Sequence, residues 1–439
     1  MYKNPSPASP DSSPSPLPGP VRSRRSRLGR FGILPDLAGT SFLLIGLFAR
    51  LPLAMLTVGA LTLVTTASGS YAAGGFAAGA VGLGSALGAP LLGLLADKHG
   101  QRIVLLVSAV LNTLAIAGVL VVTLRGGSIT GSTLALVLAA SLAMGFTCPQ
   151  IGPLARVRWM AMTRRSPRSA LDTALSYEGT ADELTFVLGP ALVGLLASLI
   201  APWLPLALAA VLTITLVSAF AVHPTVAFSD AGRDPGADGN GHDGDQPPES
   251  AEYRPALVLL PVAGMIAMGT FFGSTQTFLT AFAGQFGAAE SSGLLYAVMG
   301  LSSAVAALSV AYWPERFGHT CRWMVAAAAM AVAAAALALP GSIPTMLGVL
   351  FLLGIFVGPT MVTIFSIGSM VAPAHRLGTV MTLLASGIVT GTATGSALAG
   401  ALAEASGPAG ASVVPAAAAC VLLLLGAASA VALRSTGRA

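Results

Sequence analysis

From Ser41 onward the chain repeats one pattern: runs of twenty or so residues drawn mostly from Ala, Leu, Val, Ile, Gly and Phe, separated by short stretches of Gly, Pro and charge. An α-helix rises 1.5 Å per residue, so about twenty apolar residues cross the hydrocarbon core of a bilayer. The runs predict spans at 39–66, 71–95, 102–124, 131–156, 174–200 and 203–223, and again at 255–284, 291–313, 322–340, 343–371, 376–403 and 409–433. Membrane β-strands would alternate apolar and polar positions over about ten residues. These continuous runs exclude a barrel. The expected fold is an all-α polytopic membrane protein, with twelve transmembrane helices as two pseudo-symmetric six-helix bundles, 38–223 and 255–434.

The polar remainder falls in three places. Residues 1–37 are Pro/Ser-rich and then basic (VRSRRSRLGR), with no short apolar core of a signal peptide; they read as a disordered tail. Residues 224–254, including GRDPGADGNGHDGDQPPES, read as a flexible linker, and 435–439 as a short tail. The chain is 54% apolar and 9% charged with a mean hydropathy of +0.81, so the bilayer is its main solvent. The pI of about 9.4 does not point to nucleic acid, because the cations sort by membrane side. All of the 22 Lys and Arg except Arg50 and Arg125 fall in tails, linker or turns that share one side, including five from Arg156 to Arg168. Cytoplasmic loops retain Lys and Arg, which predicts both termini and the linker inside. The Ala/Gly/Pro-rich usage suggests a bacterial plasma membrane, and a monomer is expected.

Several chemistries are excluded. Cys148, Cys321 and Cys420 lie in apolar segments without ligand spacing and read as small hydrophobes. No GxxxxGK[ST] loop is present, and no His/Cys/Asp cluster has metal spacing. His99, His319 and His375 fall in turns, His223 ends the sixth span and His242 is in the linker, so no nucleophile set assembles. The expectation is a non-enzyme with no metal or cofactor, energised by a proton gradient.

The halves resemble each other. ADKHGQR (96–102) follows the second span and PERFGHT (314–320) the eighth; the fourth and tenth carry MGFTCP and LGIFVGP, and the fifth and eleventh LGPALVG and TGSALAG. Doubled folds of this kind alternate access by rocking two similar bundles about a central site.

The strongest local signal is GLLADKHGQRIVLL, between the second and third spans. It supplies Gly93, Asp97, Lys98, Gly100, Gln101 and Arg102 at the spacing G-x-x-x-D-[RK]-x-G-[RQ]-[RK]. On these residues the chain, from about 38 to 434, resembles the major facilitator superfamily, closest in pattern to bacterial proton-coupled efflux members. The resemblance implies that this loop latches one conformation, with Asp97 facing the positive N-terminal end of the eleventh helix after His375 and Arg376. Gly93 allows close helix approach and Gly100 a tight turn, across which Asp97 and Arg102 are placed to pair.

Ionisable residues within a bilayer are costly and mark function. The fifth span reads SYEGTADELTFVLGPALVG: Glu178 and Asp182 share a face, and Glu183 points about 100° away. Arg50 in the first span reaches a depth similar to that of Asp182 and Glu183, and the first and fifth helices are neighbours in the resembled fold. The expectation is that Arg50 pairs with Asp182 or Glu183 and that one of these acids carries the coupling proton. The competing readings are a permanent structural ion pair and a solvated Glu178 at the interface.

Gly189, Pro190 and Gly194 resemble a degenerate form of the Gly-Pro segment of drug and proton antiporters, implying a kinked, closely packed helix and favouring export. In the seventh span, GTFFGSTQTFLTAFAGQFG sets Gln276 and Thr277 among aromatics such as Phe272, with Tyr296 on the eighth. Hydrogen-bonding groups among aromatic walls suit an amphipathic organic substrate. Three functions fit: proton-coupled export of such a molecule, import of a sugar or other nutrient, or a non-transporting sensor or scaffold.

Overall fold

The computed structural model describes residues 29–125, 129, 131–231, 255–287, 292–314 and 316–434. The tail through residue 28, residues 232–254 of the expected linker, and 435–439 lie outside the described residues. Among the described residues there is no strand.

Ten spans follow in order: α1 (Thr40–Ser68), α2 (Ala73–His99), α3 (Gln101–Leu124), α4 (Gly131–Met162), α5 (Arg168–Leu199), α6 (Leu204–Val222), α7 (Leu257–Gly284), α8 (Ser292–Tyr312), α9 (His319–Ala338) and α10 (Ile343–Val371). The last apolar stretch, Leu377–Arg434, has 58 residues, and a straight helix of that length would reach about 87 Å, far beyond a bilayer. It turns at Gly407, whose φ of +68° leaves helical geometry, and Pro408 restarts it. The stretch is therefore two spans, α11 (377–406) and α12 (408–434), and the described residues hold twelve.

Three expectations are corrected. Residues 29–37 were expected to be a disordered tail; Gly29–Gly32 instead forms a 3-10 turn and Ile33–Ala38 a helix, because Leu34 and Ala38 bury against the cluster around Phe42. The start of the expected linker holds a further short helix, Val226–Ala231. Arg156, Arg158 and Arg322 were assigned to loops, yet all three are buried inside helices α4 and α9.

Helices in lipid gain nothing from excluding water from one another, so close contact depends on small residues. Gly84, Gly88 and Gly145 join α2 to α4 so tightly that a Cβ on any of them would overlap a facing backbone atom; Gly354 and Gly358 do the same between α10 and α8. Gly145 and Gly354 occupy matching places in MGFTCP and LGIFVGP. Likewise Gly189 packs α5 on Ala54 of α1, and Gly395 packs α11 on Thr270 of α7. The duplication read in the sequence is thus a duplication of contacts. One difference breaks it: α10 runs unbroken through Pro359, whereas α4 is interrupted at Thr147–Gln150.

The turns after α2, α4, α8 and α10 share one face, which their Lys and Arg make basic. There the first six spans meet the last six. Thr180 Oγ1 of α5 donates to the Ala304 carbonyl of α8 (3.0 Å), Gly179 sits against Val362, and Leu175, Ala307, Val310 and Val362 form a shared apolar cluster. Arg30 Nη1 donates to the Ala311 carbonyl at 2.6 Å, and its guanidinium lies 5.6 Å from the Tyr312 ring centre. The basic face is closed.

Candidate functional site

The signature turn takes its shape from Gly100, whose φ of +94° connects α2 to α3. This aims Asp97 across the closed face at the first turn of α11. Its Oδ1 accepts from the Gly378 N–H (2.9 Å), and its Oδ2 from the Thr379 N–H (2.7 Å) and hydroxyl (2.6 Å). These are N–H groups at a helix start, where a negative charge is favourable. A Cβ on Gly93 would stand 2.8 Å from the Gly378 carbonyl, so glycine is what lets α2 and α11 touch. Lys98 and Arg102 are exposed. The pairing of Asp97 with Arg102 is not formed, because the start of α11 takes the carboxylate.

Deeper in the bundle lies a buried charge cluster. Ala49 and Arg50 form a turn that interrupts α1, and Arg50 Nη2 donates to Glu178 Oε2. Arg50 Nε lies 3.2 Å from Asp182 Oδ1, and Arg156 Nη2 donates to Asp182 Oδ2 at 2.6 Å. Trp159 Nε1 donates to Glu178 Oε1 at 2.7 Å. Arg156 stacks on Phe365 of α10, 3.9 Å from the ring centre, so the cluster reaches the other half of the molecule. Glu178 is only 1% exposed, which removes the solvated reading, while the Asp182 side chain is 17% exposed.

Of the two partners expected for Arg50, Asp182 is the one in place, and Glu183 is not: one helical step carries it to the side of α5 that faces α8. It is buried there near Ser303 and Tyr296, its Oε1 has no hydrogen-bond partner, and among the described residues no Lys or Arg pairs with it.

The Gly-Pro segment divides. Gly189 is a close contact, 2.5 Å from the Ala54 Cβ for an added Cβ, but nothing lies within 4 Å of Gly194. Pro190 sits inside a helix that continues past it, so a break here is not observed. Gln276 and Thr277 line a cavity of about 530 Å³ between α7 and α11, with Thr280, Ala281, Ser396 and Ala403. Phe272 and Tyr296 are not in its lining: Phe272 is buried in the apolar core, and Tyr296 belongs with Glu183.

Arg156, Trp159 and Phe365 were missed by sequence reasoning. The spacing of Arg156 and Trp159, three apart on one helical face, was the available signal, but it required α4 to extend to Met162.

Among the described residues no group of three His, Cys, Asp or Glu is placed to hold a metal. A comparison with curated protein sequences finds no match. Solved structures share the fold. The human organic anion transporter MFSD10 (TETRAN) is 20% identical, with a TM-score of 0.65 over 88% of this chain and 99% of that one. A bacterial homologue of the iron transporter ferroportin in an outward-facing state is 17% identical, with a TM-score of 0.68 over 89% and 98%. The E. coli fucose:proton symporter FucP is 14% identical, with a TM-score of 0.58 over 89% and 99%. The family model described as the Major Facilitator Superfamily matches residues 42–387, most of the chain. With the signature turn seated on α11 and twelve spans in two similar sets, this multi-pass membrane protein belongs to the Major Facilitator Superfamily of transporters.

Proposed function

We propose that this transporter exports a small amphipathic organic molecule in exchange for protons by alternating access, and that Glu183 carries the proton. One observation carries the reading: of the acids at 178, 182 and 183 on α5, Glu178 and Asp182 are each held by a guanidinium, and the buried Glu183 is not. Its proton is the one that exchanges without dismantling an ion pair. It also lies where α5 packs on α8, the contact that must shift when the halves rock. The Gln276 and Thr277 cavity supplies polar groups for the substrate away from the charges. Export is favoured by the packed Gly189–Pro190 segment. On this reading the protein acts as a monomer in a bacterial plasma membrane, with both ends in the cytoplasm and no cofactor.

The test is resistance and transport. Cells lacking their own pumps and expressing the chain are challenged with antibiotics, dyes and sugar analogues, and active compounds are followed in inverted vesicles with an imposed ΔpH. Resistance that requires the proton gradient and fails in Glu183→Gln at equal expression supports the reading. Sensitisation by the wild type points to uptake instead, and a ΔpH-independent rate in both proteins sinks proton coupling.

A further inference from the structure

The interruption of α4 stands beside the charge cluster. Pro149 has no N–H and its ring disfavours helical geometry at Cys148, so the helix ends at Phe146 and restarts at Ile151. The restarted half-helix, Ile151–Met162, has its positive end inside the protein. Leu154 N–H is bonded to the Gln150 carbonyl and Pro153 has no N–H, which leaves the donors of Ile151 and Gly152 at its tip. Gly152 sits directly on the cluster: a Cβ there would lie 2.9 Å from Asp182 Oδ1 and 3.3 Å from both Arg156 Nη1 and Arg50 Nε.

Donors outnumber acceptors at this point. Both oxygens of Glu178 are taken, by Arg50 and Trp159. Yet Nη1 of Arg50, and Nε and Nη1 of Arg156, have no hydrogen-bond partner although both side chains are buried, and Nε of Arg50 has only its ion-pair contact with Asp182 Oδ1 at 3.2 Å. Buried guanidinium N–H groups without acceptors are expensive, and their fork geometry matches a carboxylate. Asp182 is the member that solvent reaches, so a ligand arrives on its side. The matching segment of α10 is unbroken, so the interruption is not demanded by the fold.

We propose that the α4 break, Arg50 and Arg156 form a subsite for the carboxylate of an organic anion, with Phe365 beneath the Arg156 guanidinium as its apolar floor. The assignment rests on the transport reading for its purpose, but not on the direction of transport or on Glu183.

Binding tests it without transport. The full chain in nanodiscs is titrated with aryl carboxylates, their methyl esters and matched aryl ammonium compounds, by thermal shift and equilibrium binding. Two variants accompany it: Arg156→Lys keeps the charge but removes the fork, and Gly152→Ala keeps every charge and fills the approach. The expected result is binding of carboxylates but not esters or ammonium compounds, weakened at least about tenfold in both variants, a difference of about 1.4 kcal/mol. Equal binding of acid and ester, no binding of any carboxylate, or undiminished affinity in both variants overturns the subsite. Carboxylate binding with no proton-driven transport retains the subsite and rejects the export reading. Proton-driven export of esters or ammonium compounds without carboxylate binding does the reverse.

Discussion

Replacing Asp97 by Asn removes the charge from the contact that closes the basic face. The wild-type carboxylate accepts three hydrogen bonds, from Gly378 N–H at 2.9 Å and from the Thr379 N–H and hydroxyl at 2.7 and 2.6 Å. Asn presents one oxygen and an NH₂ to these donors, so at least one bond is lost and the rest become neutral. A hydrogen bond to a charged group is worth about 1.5–3 kcal/mol against about 0.5–1.5 for a neutral one. The charge at the helix start adds about 0.3–1 kcal/mol. Asp97 is only half-buried, so the lower ends apply, and the closed state loses about 2 kcal/mol, about a thirtyfold change in its population. The assay is alkylation of Ala307→Cys, a 0% exposed position in the cluster shared by Leu175, Val310 and Val362, with Cys148, Cys321 and Cys420 replaced. When opening equilibrates faster than alkylation, the rate rises by that same factor. An unchanged rate in a folded Asp97→Asn protein refutes the reasoning.

Four further outcomes follow from contacts on the page. Asp172→Asn at the opposite rim leaves the same labelling rate almost unchanged, because its ion pair with Arg322 spans 3.9 Å. Gly189→Ala drives a methyl into Ala54 and lowers thermal stability by about 1–3 kcal/mol, whereas Gly194→Ala, facing open space, leaves the melting temperature unchanged. Trp159→Phe leaves Glu178 Oε1 without its donor and costs about 1–3 kcal/mol, read by thermal unfolding in nanodiscs. Glu183→Gln abolishes ΔpH-driven movement in vesicles while substrate binding persists, which a titration on the purified protein checks.

The spans, the duplication and the signature turn were legible because each rests on local sequence: length of apolar run, repeated Gly positions, and a turn whose glycines have one use. The contact of Asp97 with α11 was anticipated only through family resemblance, since residues 97 and 378 are joined by nothing in the local pattern. For Arg50 the sequence left Asp182 and Glu183 open; Asp182 is a partner, Glu183 is not, and Glu178 joins it unanticipated. Three acids lie within six residues of one another, and which face of α5 meets α1 is decided by packing, with Gly189 against Ala54 and Val187 against Gly300 fixing the rotation. Arg156 was hidden for a different reason. A span was expected to end at its first cation, but a helix buried by neighbours on both sides carries its cations inside when carboxylates face them. Phe272 and Tyr296 part from Gln276 and Thr277 because shared neighbourhood in sequence did not give a shared face.

The two halves repeat one another in packing, yet their rims on the basic face are unequal. On one rim a carboxylate sits at bonding distance on the start of α11. On the other, at the repeat of the signature turn, Pro314–Thr320, Arg322 donates at 2.6 Å to the Phe317 carbonyl and at 3.0 Å to that of Pro314, and Asp172 lies 3.9 Å from it. A rocking motion breaks both rims, and a ligand shifts it only by differential binding to the two states, which on the proposed reading means substrate and proton. The two rims are therefore held differently: α2 and α11 by a charge on a helix start, and α5 and α8 by the Thr180–Ala304 hydrogen bond and the apolar cluster of Leu175, Ala307, Val310 and Val362. Glu183 lies deeper in the bundle on the side where α5 packs on α8. A change of charge there acts on a contact made of one hydrogen bond and apolar packing. On the proposed reading this is where a coupling acid acts: its charge biases the contact of α5 with α8, apart from the Asp97 latch of α2 on α11.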